Sequence, residues 1–220
     1  GSKFKLDPGE YVVDNIVGKN TDTILFFGSQ GNFYCLKMED FVVEQKQYLN
    51  SLIEFKEGEE LRAGAVLNST NQKEFVLFIT KKGFLKKSKL SNYNLKVKRG
   101  SKAINLDEND EIVSVDFVND EDYGILTNNG LLSIITTKDV NPIGRIARGV
   151  IGIRLKGDDF VSAGHIIPKE TKSILTVTAD GFASRSLIEE YNITARGAKG
   201  LKVQKEKNTV DFLTITDNSD

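Results

Sequence analysis

Phe75-Val-Leu-Phe-Ile-Thr80-Lys-Lys-Gly83 is an apolar run that ends in a four-residue turn closed by glycine, and a second run, Phe84-Leu85, follows at once. The same skeleton returns as Thr127-Asn-Asn-Gly130 after Ile125-Leu126, and as Thr178-Ala-Asp-Gly181 after Ile174 to Val177. A looser copy, Gly28-Ser-Gln-Gly31, follows Ile24-Leu25-Phe26-Phe27. The four glycines lie 52, 47 and 51 residues apart, and a period near 50 is the mark of a propeller or a related array. Each copy reads as a β-hairpin. Glycine holds the fourth position because a short hairpin loop needs one residue at positive φ.

A strand led by an acidic turn recurs five times, as Glu10-Tyr-Val-Val, Glu60-Leu-Arg-Ala, Glu111-Ile-Val-Ser, Asp159-Phe-Val-Ser and finally Thr209-Val-Asp-Phe. Between hairpin and acid-led strand a further short strand is expected in Ala103-Ile104-Asn105-Leu106, Gly152-Ile153-Arg154-Leu155 and Gly200-Leu201-Lys202-Val203. The runs are rich in Val, Ile, Phe and Thr and are broken by Gly and Asn, so the chain reads as all-β. A helical turn is expected over Leu187 to Tyr191 and little helix elsewhere. About four strands per unit, repeated around an axis, make propeller blades. The units fall at approximately 10–58, 59–108, 109–157 and 158–208, with a closing strand at 209–216, in one domain over 3–220. Four blades, five, or an open spiral all fit this count.

The 220 residues carry 30 Lys plus Arg against 31 Asp plus Glu, with 39% hydrophobic residues, one Cys and one His. Such a chain can bury a core without disulfides or metal and is unlike a disordered tail. No apolar run approaches the roughly 20 residues of a membrane span, and Cys35 alone forms no intrachain disulfide. A soluble, cytoplasmic, monomeric domain is expected. Gly1-Ser2 reads as a tag remnant, which makes the chain a piece of something larger.

The charges are segregated along the chain. Phe75 to Leu106 holds nine basic residues and no acidic one: Lys81, Lys82, Lys86, Lys87, Lys89, Lys96, Lys98, Arg99 and Lys102. Asp107 to Tyr123 holds eight acidic residues and no basic one. The third unit adds Arg145, Arg148, Arg154 and Lys156, and the fourth adds Arg185, Arg196, Lys199 and Lys202, whereas Glu39, Asp40 and Glu44 make the first unit's matching loop acidic. Two readings stand. Lysines along strands defend sheet edges against pairing. A curved row of Lys and Arg from successive blades would instead meet phosphates at intervals, as a sequence-tolerant contact with duplex DNA requires. On the second reading, Glu at Lys96, Lys98 and Arg99 together weakens binding to every sequence.

Three stretches in order carry a family resemblance: Gly144-Arg-Ile-Ala-Arg-Gly-Val-Ile-Gly-Ile-Arg-Leu155, Ser173-Ile-Leu-Thr-Val-Thr-Ala-Asp-Gly181 and Glu190-Tyr-Asn-Ile-Thr-Ala-Arg-Gly-Ala-Lys-Gly-Leu201. They resemble the C-terminal domain of bacterial type IIA topoisomerase A subunits, namely gyrase A and the topoisomerase IV subunit ParC. The resemblance extends over essentially the whole chain and is strongest from Thr80 onward. It implies a β-pinwheel, a propeller variant whose neighbouring blades exchange strands, and a basic outer rim that binds and bends double-stranded DNA for the cleavage core. It also implies that the catalytic tyrosine lies in the rest of the A subunit, and that ATP and Mg are used elsewhere, the ATP by the partner B subunit. Gyrase carries a box, Gln-Arg-Arg-Gly-Gly-Lys-Gly, in its first blade, tied in the family to tight chiral wrapping. The nearest match here is Thr194-Ala195-Arg196-Gly197-Ala198-Lys199-Gly200 in the last unit, which favours topoisomerase IV over gyrase and leaves room for a divergent gyrase A from which an N-terminal blade has been cut.

No phosphate loop, nucleophile motif or metal-ligand cluster is visible in the sequence, and His165 reads as structural. Catalysis and cofactors are therefore not expected of this chain. The rival functional class is a propeller serving as a protein-interaction platform through its acidic turns, including Asp107 to Asp122. A propeller enzyme would need polar groups converging on a central channel, and the sequence places none.

Overall fold

A computed structural model describes residues 22–41, 49–67, 73–95 and 100–216. The four glycine turns close four hairpins: β1 (Thr23–Gly28) with β2 (Asn32–Lys37), β4 (Phe75–Thr80) with β5 (Phe84–Lys89), β8 (Asp122–Thr127) with β9 (Leu131–Thr136), and β12 (Ser173–Thr178) with β13 (Ala183–Leu187). The acid-led segments form β3 (Leu61–Leu67), β7 (Ile112–Val118), β11 (Val161–Ile167) and β15 (Thr209–Ile215). Each pairs antiparallel with the first strand of the hairpin before it, and the register slips once, at that strand's last residue. The earliest acid-led copy, Glu10 to Val13, lies outside the described residues.

The remaining strands are two residues long and cross from one blade to another. β6 (Ser101–Lys102) follows the second hairpin but pairs with β2. β10 (Val150–Ile151) follows the third hairpin but pairs with β5, and β14 (Leu201–Lys202) follows the fourth but pairs with β9. The sheets are therefore β3-β1-β2-β6, β7-β4-β5-β10, β11-β8-β9-β14 and β15-β12-β13. This is the expected all-β pinwheel, each repeat lending a strand to the blade of the repeat before it. The fourth sheet departs from the expected four strands, holding three among the described residues.

Two local expectations change. The exchanged strands of the second and third units begin before Ala103 and Gly152, and the residues that follow, Ala103, Ile104 and Ile153, turn into the seams between blades and are buried. The short helical turn found at Ile188–Glu190 has counterparts after the other hairpins, at Met38–Asp40, Leu90–Tyr93 and Thr137–Asp139. These turns let the chain leave the outer hairpin strand. The second one also folds Leu90 and Tyr93 inward.

Strand alternation explains how the core is shared. Successive side chains of a strand point to opposite faces, so Leu25 and Phe27 of β1 face the second blade, while Ile24 and Phe26 pack outward against Leu49 and Ile53. Phe27 meets Phe78 of β4 and Tyr93 edge-on, with ring centroids 5.6 and 5.4 Å away. Leu77 and Ile79 point the other way, to Tyr123 and Ile125 of the third blade. A smaller cluster, including Leu126, Ile134, Ile174 and Phe212, joins blades three and four. Burying a side chain of this size stabilises by about 1.5–3 kcal/mol, so the blades are held mainly by their neighbours.

Candidate nucleic-acid interface

The acidic turns act first on the hairpins. Asp110 Oδ1 accepts the backbone N–H of Lys82 at 2.9 Å, Asp159 Oδ1 that of Asn129 at 3.0 Å, and Glu59 Oε2 that of Gln30 at 3.2 Å. In three blades, a carboxylate just ahead of the acid-led strand thus clasps the glycine turn. In the sequence this clasp shows only as an acid that recurs ahead of three of the strands. Three other acids of the 107–122 run are also engaged. Asp116 accepts from the Tyr123 hydroxyl at 2.6 Å, Glu121 pairs with Lys73, and Asp107 lies 3.4 Å from Arg148.

The crossover segments that carry the exchanged strands hold the basic residues. Lys102, Ile151 and Lys202 occupy one structural position, each opposite the residue that follows a turn glycine: Asn32, Phe84 and Leu131. Counting back from that position, Arg145 and Arg196 stand six residues earlier, and Arg148 and Lys199 three residues earlier. The repeated spacing has repeated bonding. The Arg145 guanidinium donates to the Lys102 carbonyl, and that of Arg196 to the Ile151 carbonyl at 3.2 Å. Each arginine therefore reaches the crossover before its own. Lys96 and Arg99 precede Lys102 at these same spacings in the sequence; together with Lys98 and Glu44 they lie outside the described residues.

Aromatic faces fix several of these cations from beneath. Arg145 lies 5.5 Å from the Phe33 ring centroid and Arg148 4.4 Å from that of Phe84. Such stacking orders a guanidinium while leaving its edge for other partners. Lys81 sits 4.9 Å over Phe160, and Lys82 donates to the Glu108 carbonyl. Lys202 likewise donates to the Asn129 carbonyl, and Arg185 Nε donates to Ser173 Oγ at 3.0 Å. Lys82, Lys89, Lys102, Arg148, Arg154, Arg185, Arg196 and Lys199 are exposed, while Lys81 and Arg145 are partly so.

Lys86 and Lys87 are a correction to the charge reading, which placed them on the rim. Their relative exposures are 0% and 4%. They lie on β5, whose successive side chains enter opposite seams. Lys86 Nζ donates to the carbonyls of Ala103, at 2.7 Å, and Arg145, with the Phe78 ring 5.2 Å away. Lys87 Nζ donates to the Thr137 carbonyl at 3.0 Å and stands 4.2 Å over Phe75. Burial, and secondarily the Arg145 charge, pushes Lys86 down to about 7. Burial also lowers Lys87, against the opposing pull of Glu74 and Asp120. A long aliphatic stem suits a β-strand core, and only the ammonium needs acceptors. Charge alone could not show that the acceptors were interior carbonyls.

His165 fits its structural reading, its Nε2 lying 2.6 Å from Asp211 Oδ1 and its ring edge-on to Phe212 at 4.9 Å. No helix among the described residues is long and apolar enough to cross a membrane.

With this geometry, the family model of the DNA gyrase C-terminal domain, beta-propeller, matches residues 74–119, 125–168 and 172–218. The chain belongs to this family. Gyrase A subunits are its similar curated relatives: that of Helicobacter pylori is 30% identical over 100% of this chain and 28% of the relative, and that of Staphylococcus epidermidis 31% over 96% and 25%. The chain thus spans about a quarter of the length of these subunits. A solved C-terminal domain of DNA topoisomerase IV superposes with a TM-score of 0.81, at 22% identity, over 89% of this chain and 64% of that one. The E. coli ParC C-terminal domain gives 0.75 at 14% identity, over 97% and 92%. As a member of the gyrase C-terminal domain family, the chain is the pinwheel portion of a type IIA topoisomerase A subunit.

Proposed function

We infer that this domain binds duplex DNA along the exposed crossover cations and bends it, serving as the accessory domain that presents DNA to a cleavage core elsewhere in the enzyme. The observation that carries this reading is the repeated arginine bond, Arg145 to Lys102 and Arg196 to Ile151, which sets basic residues at one spacing on successive crossovers. Evenly placed cations on a curved surface suit phosphates along a bent duplex, with little dependence on base sequence. The contact set is Lys81, Lys82, Lys89, Lys102, Arg145, Arg148, Arg154, Arg185, Arg196 and Lys199, joined by Lys96, Lys98 and Arg99. The rest of the A subunit and the ATPase B subunit are its partners in the enzyme, in a bacterial cytoplasm. The degenerate form of the seven-residue box at Thr194 to Gly200 supports topoisomerase IV, with bending and no tight chiral wrap.

The platform reading has less support, since Asp107, Asp110, Asp116 and Glu121 in the acidic run already hold internal partners. A salt series tests the DNA reading. With about five phosphates neutralised, log K falls against log salt with a slope of roughly −4 to −5. A slope near zero, or equal affinity for an acidic peptide, would refute it.

A further inference from the structure

Lys86 is a cation in the basic stretch that no DNA phosphate can reach. Its ammonium lies where two crossovers meet, bonding the Ala103 carbonyl on one and the Arg145 carbonyl on the other. The Tyr93 hydroxyl donates to the same Ala103 carbonyl at 2.8 Å. The crossovers also touch through the Asn105 N–H, 3.2 Å from the Ala147 carbonyl. Just outside this junction, the Arg145 guanidinium bonds the Lys102 carbonyl. The third residue after the turn glycine is Tyr34, Lys86, Ser133 and Ser184 in the four hairpins. The second blade alone thus has a side chain there with the reach and donor count to join two carbonyls.

We propose that Lys86 is a positioning residue for the DNA-binding row: its buried ammonium fixes the Arg145 main chain against the Ala103 crossover, and so sets where the Arg145 guanidinium and Lys102 face the duplex. The inference rests on the DNA reading above. A buried lysine is a costly way merely to fill a core, because an apolar side chain of similar volume is often as stable or more so. What methionine cannot supply is the two-carbonyl bond. Desolvation and the Arg145 charge act against the ammonium, in keeping with a group retained for what it holds in place.

The test is a double-mutant cycle on the whole domain, with affinity for a 40-base-pair duplex as the readout. Lys86→Met keeps the thermal midpoint within a few degrees and weakens binding about fivefold in the wild-type background, a typical size for groups acting through one network. In an Arg145→Ala background, the same change costs at most about twofold, the part that acts through Lys102. A lysine that merely supported the fold would cost the same in both backgrounds, and that additive result would overturn the assignment. If Lys86→Met fails to fold, Tyr93→Phe, which removes the second donor on the Ala103 carbonyl and keeps the ring, is carried through the same cycle. Coupling to Arg145 supports the proposal and additivity overturns it. A wild-type domain that does not bind the duplex overturns the DNA reading itself, an outcome distinct from binding with additive losses.

Discussion

Gly130→Ala destabilises the domain by about 3 kcal/mol or more, whereas Gly181→Ala costs about 1–2 kcal/mol. Both glycines close hairpin turns at positive φ, 81° and 88°. A Cβ there carries the left-handed penalty in either blade. At Gly130 the added carbon would also stand 2.5 Å from the Gln204 carbonyl oxygen, on the crossover that the fourth repeat sends to the third blade. At Gly181 nothing lies within 4 Å. The difference between the two variants therefore isolates the strand exchange from the turn. Urea unfolding of both proteins measures it, and equal midpoints would show that the crossover does not pack on the turn as described.

The second large effect is electrostatic. On the DNA reading, replacing Lys102, Arg154 and Lys199 together by Glu weakens binding about 100-fold at low salt, because three charges change sign, a net change of six units, across a row whose affinity derives from phosphate neutralisation. All three side chains are exposed. Exposed substitutions of this kind usually leave stability within about 0.5 kcal/mol each, so a retained thermal midpoint separates lost binding from lost fold. The loss should be uniform across sequences, since contacts to phosphate carry no base information. Filter binding on two unrelated duplexes checks both points. Unchanged affinity would remove the crossover row as the contact surface.

How much of this was legible in the residues differs between fold and site. The hairpins were readable because glycine at the fourth turn position is a local steric demand, stated within a few residues. The exchange of β6, β10 and β14 was not, because a two-residue strand has no period and its partner is remote: Ser101 pairs with Phe33, 68 residues away, and Lys102 with Asn32, 70 residues away. Only the family resemblance supplied it. Among the cations, Arg145, Arg148, Arg196 and Lys199 were grouped by recurrence, and their common register follows only from pairing. Lys86 and Lys87 were misplaced because charge implies solvent unless carbonyl acceptors wait inside, and those acceptors come from Ala103, Arg145 and Thr137, remote in sequence. The carboxylate clasps of Glu59, Asp110 and Asp159 were seen as acids but not as bonds, since their partners are main-chain amides.

On the DNA reading, this domain bends the duplex it binds. End-to-end energy transfer on a duplex of about 40 base pairs labelled at both ends, titrated with the domain across a salt series, measures that bend. A duplex this short is well below the persistence length and stays nearly straight alone. Transfer is expected to rise as the domain binds and to be lost as salt releases it. Saturated binding at low salt with no change in transfer would rule out bending by this domain.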